Sequence, residues 1–310
     1  MARFRSRRPR PRREWLTPAR YTEANLGQTG SLADFEVQQG FLDSALDLLE
    51  VSDPPTPNRT LLLAHQQMTQ ESWSEALRLL RQVETDNPLH PGLLQLIGFC
   101  LNAQGQTDEA LVQLDKARSL RPEDPDILLQ IREIKFDAAL VFLNQGRFRT
   151  ALTGLEELWK EDIQPEYLLR MAYSRQQLGD LNGAVRDYRA GLTGDPTADW
   201  ARINFASSLY LLGNYGEAAS QWELLLADSE TAENYYQLGL CYFHLDRLPE
   251  AERALTRAVE MGNQRPEVLY SLGASRLRLN RGDQAWDLIR RAAAARYPPA
   301  QQLLRSRSRQ

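Results

Sequence analysis

The chain has little of what disulfide, metal and membrane proteins need. It carries only two cysteines in 310 residues, Cys100 and Cys241, which excludes a scaffold held together by several disulfides. No run of 18 apolar residues occurs, so the sequence predicts no membrane-spanning helix. Its three histidines lack the paired spacing of a zinc-binding helix. We therefore predict neither a metal nor any other cofactor.

Catalytic motifs are missing as well. The sequence has no glycine-rich phosphate loop, no dinucleotide-binding G-x-G-x-x-G and no nucleophile elbow G-x-S-x-G. Cys100 and Cys241 each stand beside a small residue in a helical pattern, which favours buried thiols over a redox pair. We predict a protein that is not an enzyme and has no small-molecule substrate.

Lysine is scarce, and the basic charge is concentrated at the two ends. Only three of the 37 basic residues are lysine. Residues 1–20 carry a net charge of +7 and residues 300–310 carry +3, whereas residues 21–299 carry −14. Such arms often bind partners. The simpler interpretation of the excess of arginine over lysine is an arginine-favouring genome. The basic tail contains these arginines: Arg3, Arg5, Arg7, Arg8, Arg10, Arg12 and Arg13.

The N-terminal arginines do not form a targeting signal. No apolar segment follows them, as a secretory signal would require. Pro9 and Pro11 interrupt any amphipathic helix of the kind found in mitochondrial transit peptides. The sequence thus predicts a disordered basic tail over residues 1–20 and a cytoplasmic protein.

A repeat dominates the rest of the chain. In the clearest copy, Leu94, Gly98 and Leu101 are followed by Ala110 and Pro122. Equivalent alanines recur, and five of their seven spacings are 33 or 34 residues. The alanines stand at positions 45, 76, 110, 151, 184, 218, 251 and 285. Within each copy apolar residues recur three and four apart, which indicates paired amphipathic helices.

This pattern resembles the tetratricopeptide repeat family, with about seven clear copies over 57–299 and a degenerate one from Leu26. The resemblance implies an all-α fold, a right-handed α-solenoid of stacked antiparallel helical hairpins. Small residues would let the paired helices approach closely, and glycines would form the turn inside each hairpin. The turn glycines are Gly40, Gly105, Gly146, Gly179 and Gly213.

One spacing of 41 residues breaks the regularity and indicates an insertion near Pro125–Ile131. Residues 126–145 are then predicted to form one long helix. The solenoid, residues 21–299, is either one continuous superhelix or two modules, 26–124 and 125–299. Residues 300–310 are predicted to form a C-terminal cap, with Leu303 and Leu304 packed on the last repeat, and a short basic tail.

The resemblance also implies a concave groove lined by the first helix of each hairpin. The positions carried over to this groove are mostly apolar or aromatic: Leu61, His65, Phe99, Asn102, Phe136, Tyr173, Trp200, Ile203, Tyr210, Tyr236, Phe243 and Tyr270. The Lys-Asn-Arg clamp by which some family members bind C-terminal carboxylates is not found at these positions, so a ligand of that kind is not expected.

These features predict a scaffold or adaptor that binds one or more proteins through an apolar or helical segment. A chaperone-like component of a multiprotein or secretion assembly is a narrower version of this hypothesis. The alternative is a tether in which the arginine-rich tails contact nucleic acid or an anionic membrane, independently of sequence.

Overall fold

The computed structural model describes residues 57–85 and 88–307, with side chains from Thr60 onward, and all regular secondary structure in these ranges is α-helical. The basic tail over residues 1–20, the degenerate first copy, Gly40 and Arg309 lie outside the described residues. The chain divides into two compact units between Arg147 and Phe148.

Within the described residues, unit 1 has the helices α1 Pro57–Thr69, α2 Trp73–Glu84, α3 Pro91–Ala103, α4 Thr107–Leu120 and α5 Pro125–Asn144. Unit 2 begins with α6 Phe148–Glu161, α7 Pro165–Gln177, α8 Leu181–Gly194, α9 Asp199–Leu211 and α10 Tyr215–Asp228. It continues with α11 Ala232–His244, α12 Leu248–Glu260, α13 Pro266–Arg278, α14 Gly282–Ala294 and α15 Pro298–Arg307. Each helix of a unit packs on the next one along the chain, so both units are stacks of helical hairpins. The predicted all-α solenoid is confirmed.

Local signals set the helix starts. Proline occupies the first position of α3, α5, α7 and α13, where no backbone donor is needed and its fixed φ suits a helix. The Asp124 carboxylate accepts hydrogen bonds from the backbone N–H groups of Asp126 and Ile127, which caps α5. Thr231 caps α11 in the same way, through the N–H of Asn234.

The turn inside each hairpin requires one residue in the left-handed region. Gly105, Gly146, Gly179 and Gly213 adopt φ values from 74° to 86°, as their spacing predicts. Where glycine is missing, other residues take the same conformation: Glu71, Asp246 and Asn280, with φ between 58° and 60°. The turn geometry is thus retained without glycine.

The long helix α5 is the last helix of unit 1, and α15 is the last helix of unit 2. The 20-residue α5 packs on α4 and belongs to unit 1, which ends at Arg147. At the other end of the chain, α15 packs on α14, and Leu303 and Leu304 contact the apolar core of the last hairpins.

His90 caps α3 and makes the stability of unit 1 depend on pH. Its Nδ1 atom accepts a hydrogen bond from the backbone N–H of Leu93, 3.3 Å away. Burial, together with the positive charge of Arg121, lowers the pKa of His90. The folded state therefore binds this proton less readily than the unfolded chain, and stability falls as the pH drops below about 6.5.

We expect His90→Asn to weaken this pH dependence, because asparagine also caps helices but does not titrate. Between pH 7.5 and pH 5.5 the variant should lose less unfolding free energy than the wild type. Urea denaturation followed by circular dichroism at the two pH values measures the difference. Equal losses in both proteins would show that His90 does not govern the effect.

Candidate functional site

The first helices of the hairpins in unit 2 carry a row of aromatic side chains. These helices are α7, α9, α11 and α13, with direct packing of α7 on α9 and of α11 on α13. We call the following six side chains the aromatic face: Tyr173, Trp200, Ile203, Tyr210, Phe243 and Tyr270. Ile203 is 39% exposed, and the other five side chains are half-buried. All six were predicted groove residues.

Side-chain contacts join these helices across the aromatic face. The guanidinium of Arg170 on α7 lies 4.2 Å from the ring centroid of Trp200 on α9. The guanidinium of Arg278 on α13 lies 5.0 Å from the ring of Phe243 on α11. Such cation–π contacts hold each ring in a defined orientation. The aromatic face is therefore ordered before a partner arrives, which lowers the entropy cost of binding.

Tyr210 lies at the centre of a tight group of rings. Its hydroxyl is 2.9 Å from Nε2 of His244, and its ring packs edge-on against Tyr215. The Tyr215 ring stacks parallel on His244 with centroids 4.4 Å apart, and Phe243 approaches the same imidazole edge-on. The group links α9, α10 and α11, and His244 is exposed. It gives the aromatic face a polar hydrogen-bonding point beside its apolar rings.

Charged groups border the face. Each of its four helices has a carboxylate in the first turn, namely Glu166, Asp199, Glu233 and Glu267, where the helix dipole favours negative charge. Three of the four are paired with arginine: Glu166 with Arg170, and both Glu233 and Glu267 with Arg265. The border therefore presents both signs of charge, and negative groups lie at the start of every helix.

Four predicted groove residues lie in apolar cores instead. Leu61 and Phe99 are only 2% and 4% exposed, and His65 is also buried. The ring of Phe99 is covered by Trp73 of α2, at a centroid distance of 5.7 Å. Tyr236 belongs to the core shared by α11–α14, and burial raises the pKa of its hydroxyl to about 12. These side chains do not present a surface to a partner in this conformation.

The remaining predicted residues are Asn102 and Phe136, both half-buried in unit 1. The aromatic face of unit 2 does not include them. Residues that the prediction omitted, Tyr215 and His244, complete the central ring group. One signal could have identified His244, because it directly follows Phe243, which stands one repeat after Tyr210.

The described residues provide no evident catalytic centre. Burial raises the pKa of both thiols, Cys100 and Cys241, to about 12, so neither is a nucleophile at neutral pH. Among residues 57–85 and 88–307, no group of three or more His, Cys, Asp or Glu side chains is placed to hold a metal ion. In the same part of the chain, no helix has the length and apolarity needed to span a membrane.

Comparison with known proteins agrees with the hairpin architecture. Two family models, both described as tetratricopeptide repeat, match residues 67–131 and 203–266. Among solved structures, the "MamA RS-1 ArsTM double mutant" has a TM-score of 0.50 and 23% identity, over 53% of this chain and 93% of that one. "MamA 41-end from Desulfovibrio magneticus RS-1" has a TM-score of 0.49 and 24% identity, over 53% and 93%. No curated protein sequence matches the chain. The structural likeness shows the fold alone.

Proposed function

The chain is a tetratricopeptide repeat protein, and we propose that it is a non-catalytic scaffold that binds a polypeptide segment of a partner on the aromatic face of unit 2. The observation that carries the proposal is the row of partly exposed aromatic rings on four consecutive first helices, held in place by neighbouring arginines. The rings of Tyr173, Trp200, Tyr210 and Phe243 pack against the apolar core and remain partly open to solvent. Aromatic side chains are enriched among binding hot spots.

The chemistry of the face indicates the kind of segment that fits. Trp200, Ile203 and Phe243 offer apolar contact, while the Tyr210 hydroxyl and His244 offer hydrogen bonds. The paired arginines and carboxylates near the helix starts favour a segment with polar groups of either charge at its edge. An amphipathic helix with apolar residues on one face and polar residues at its edge meets these requirements.

The test removes two rings that belong to different helices. Trp200→Ala combined with Phe243→Ala should weaken partner binding by a hundredfold or more, because hot-spot residues each contribute about 2 kcal/mol or more. The wild type and the variant are used as baits in the native cell extract, and the retained proteins are identified by mass spectrometry. Binding of the purified partner is then measured by calorimetry.

Leu224→Ala is the matched control, because Leu224 is 51% exposed on α10, a second helix outside the aromatic face. It should leave binding unchanged. Circular dichroism and thermal melting establish that the double variant remains folded. A folded double variant that binds the partner as tightly as the wild type would contradict the proposed face.

A narrower role and an alternative function follow from the same sequence features. A cytoplasmic, chaperone-like role would follow if the retained partner were an unassembled or secreted protein. The alternative, a tether, rests on the eight arginines of residues 1–20 and requires binding to nucleic acid or anionic vesicles that weakens steeply with salt. A gel shift at low and moderate salt separates the tether from the scaffold, since the aromatic face contributes little salt dependence.

A further inference from the structure

Unit 1 contains an open pocket of about 360 Å³ that is separate from the aromatic face. It lies between the end of α3, the following turn and one side of α5. Its walls include polar Asn102, Gln104 and Thr107 on one side and Ile134, Asp137 and Val141 on the other. The volume is at the low end of the range for small-ligand sites, and suits one long side chain.

Asp137 is the only titratable residue in the pocket wall, and it has no hydrogen bond or ion pair within the described part of the chain. Burial, together with the nearby charge of Glu133 on the same helix, raises the pKa of this carboxyl to about 6. At neutral pH the Asp137 carboxylate is therefore ionised, and no positively charged side chain pairs with it within the described part of the chain. A half-buried, unpaired carboxylate in a concave site is a recognition group for a cation.

The backbone adds to the preference for positive charge. The helix α3 ends at Ala103, so its negative dipole end and last carbonyl groups are at the pocket. The turn that follows passes through Gly105, whose φ of 82° redirects the chain into α4. The first turn of α4 carries the exposed acids Asp108 and Glu109, so negative charge prevails on that side too.

We propose that this pocket binds an arginine side chain from the segment Arg3–Arg13 of the same chain. That segment contains seven arginines and no acid, which makes it complementary to the pocket in charge. A guanidinium offers a planar fork of donors that a carboxylate accepts in pairs, while the helix carbonyls accept the remaining N–H groups. The proposal does not depend on the aromatic face or on the identity of a partner.

The covalent connection favours this occupant over a free cation. Residues 14–56 join the segment to α1 and permit a span on the order of 100 Å at about 3.3–3.6 Å per residue. A covalent connection of this length gives an effective concentration of roughly millimolar. Seven arginines in one segment raise the chance of occupancy further, since any of them can enter the pocket.

Distance measurement in the full chain tests the contact. Spin labels are attached to Ser6→Cys, within the segment, and to Gln106→Cys, exposed at the turn beside the pocket. Cys100 and Cys241 are buried and should not take up label. Double electron–electron resonance should show a short-distance population in the otherwise wild-type chain, with a width set by which arginine occupies the pocket. Replacing the seven arginines by glutamine should remove it.

Asp137→Asn is the decisive variant, because it keeps the shape of the side chain and removes only the charge. Asp137→Asn should lower the fraction of chains in which the labels at positions 6 and 106 are close by about tenfold, as expected for loss of a charge-assisted hydrogen bond. Asp115→Asn is the matched control: Asp115 is exposed on α4, pairs with Arg118, and its replacement removes the same charge elsewhere in unit 1. That control should leave the population unchanged.

Three results would overturn the proposal. The first is no short-distance population in the wild-type chain at low salt. The second is a population that Asp137→Asn leaves intact while circular dichroism shows the variant to be folded. The third is the same short distance in a mixture of two singly labelled chains, which would assign the contact to neighbouring copies.

Discussion

Replacing Tyr188 by alanine is expected to destabilise unit 2 by about 3–5 kcal/mol, the range for removing a large aromatic side chain from a packed core. Tyr188 on α8 is fully buried, with its ring 6.3 Å from that of Phe205 on α9. Alanine would leave a cavity where α8 and α9 meet, because helices on both sides restrict collapse. Urea denaturation followed by circular dichroism measures the loss.

Tyr188→Phe separates the polar part of this effect from the packing part. The hydroxyl donates a hydrogen bond to Oε1 of Gln176 on α7, 3.0 Å away, and burial raises the pKa of Tyr188, so the donor proton is retained. Phenylalanine keeps the ring and removes the donor, which should cost about 1 kcal/mol. If phenylalanine proved as damaging as alanine, the hydrogen bond and not the ring would hold this site together.

Replacing Gly239 by valine is expected to destabilise unit 2 by about 3 kcal/mol, at the upper end of the usual cost of overpacking. Gly239 lies where α11 meets α12, and a Cβ atom there would be 2.7 Å from Cγ and 3.3 Å from the backbone N of Leu255. Neither atom is the free end of a flexible side chain, so the helices must move apart. Alanine should cost less, since Ala172 and Ala206 occupy the equivalent position elsewhere.

Gly154→Ala is the control that distinguishes crowding from helix propensity. Gly154 is inside α6, and a Cβ atom there would have no neighbour within 4 Å. Alanine restricts the unfolded chain and should raise the unfolding free energy by about 0.5–1 kcal/mol. In denaturant titrations the unfolding midpoint should therefore rise for Gly154→Ala and fall for Gly239→Val. A stabilising Gly239→Ala would show that α11 and α12 have room to spare.

The repeat could be predicted in detail because its signals are local. Apolar residues three and four apart define each helix, proline and capping side chains define its start, and a left-handed residue defines the turn. The long α5 followed from a single irregular spacing of 41 residues. Each of these features depends on residues within about one repeat.

Side-chain exposure could not be predicted in the same way. Phe99 and Phe243 both lie on first helices of their hairpins, yet Trp73 covers Phe99, whereas Phe243 remains partly open beside Arg278. Tyr236 likewise belongs to the core, although its sequence neighbours resemble those of Tyr270. Whether a ring is covered depends on side chains that another helix supplies.

The amino-acid sequence by itself thus determined the all-α hairpin architecture, the turns and the lack of catalytic motifs, since these depend on residue types at short spacing. Only the tertiary structure decided which aromatic rings form a surface and where the two units separate. It also decided that Asp137 faces a pocket without a counter-charge. Those properties arise from the distances between side chains far apart in the chain, and these distances are set by helix packing.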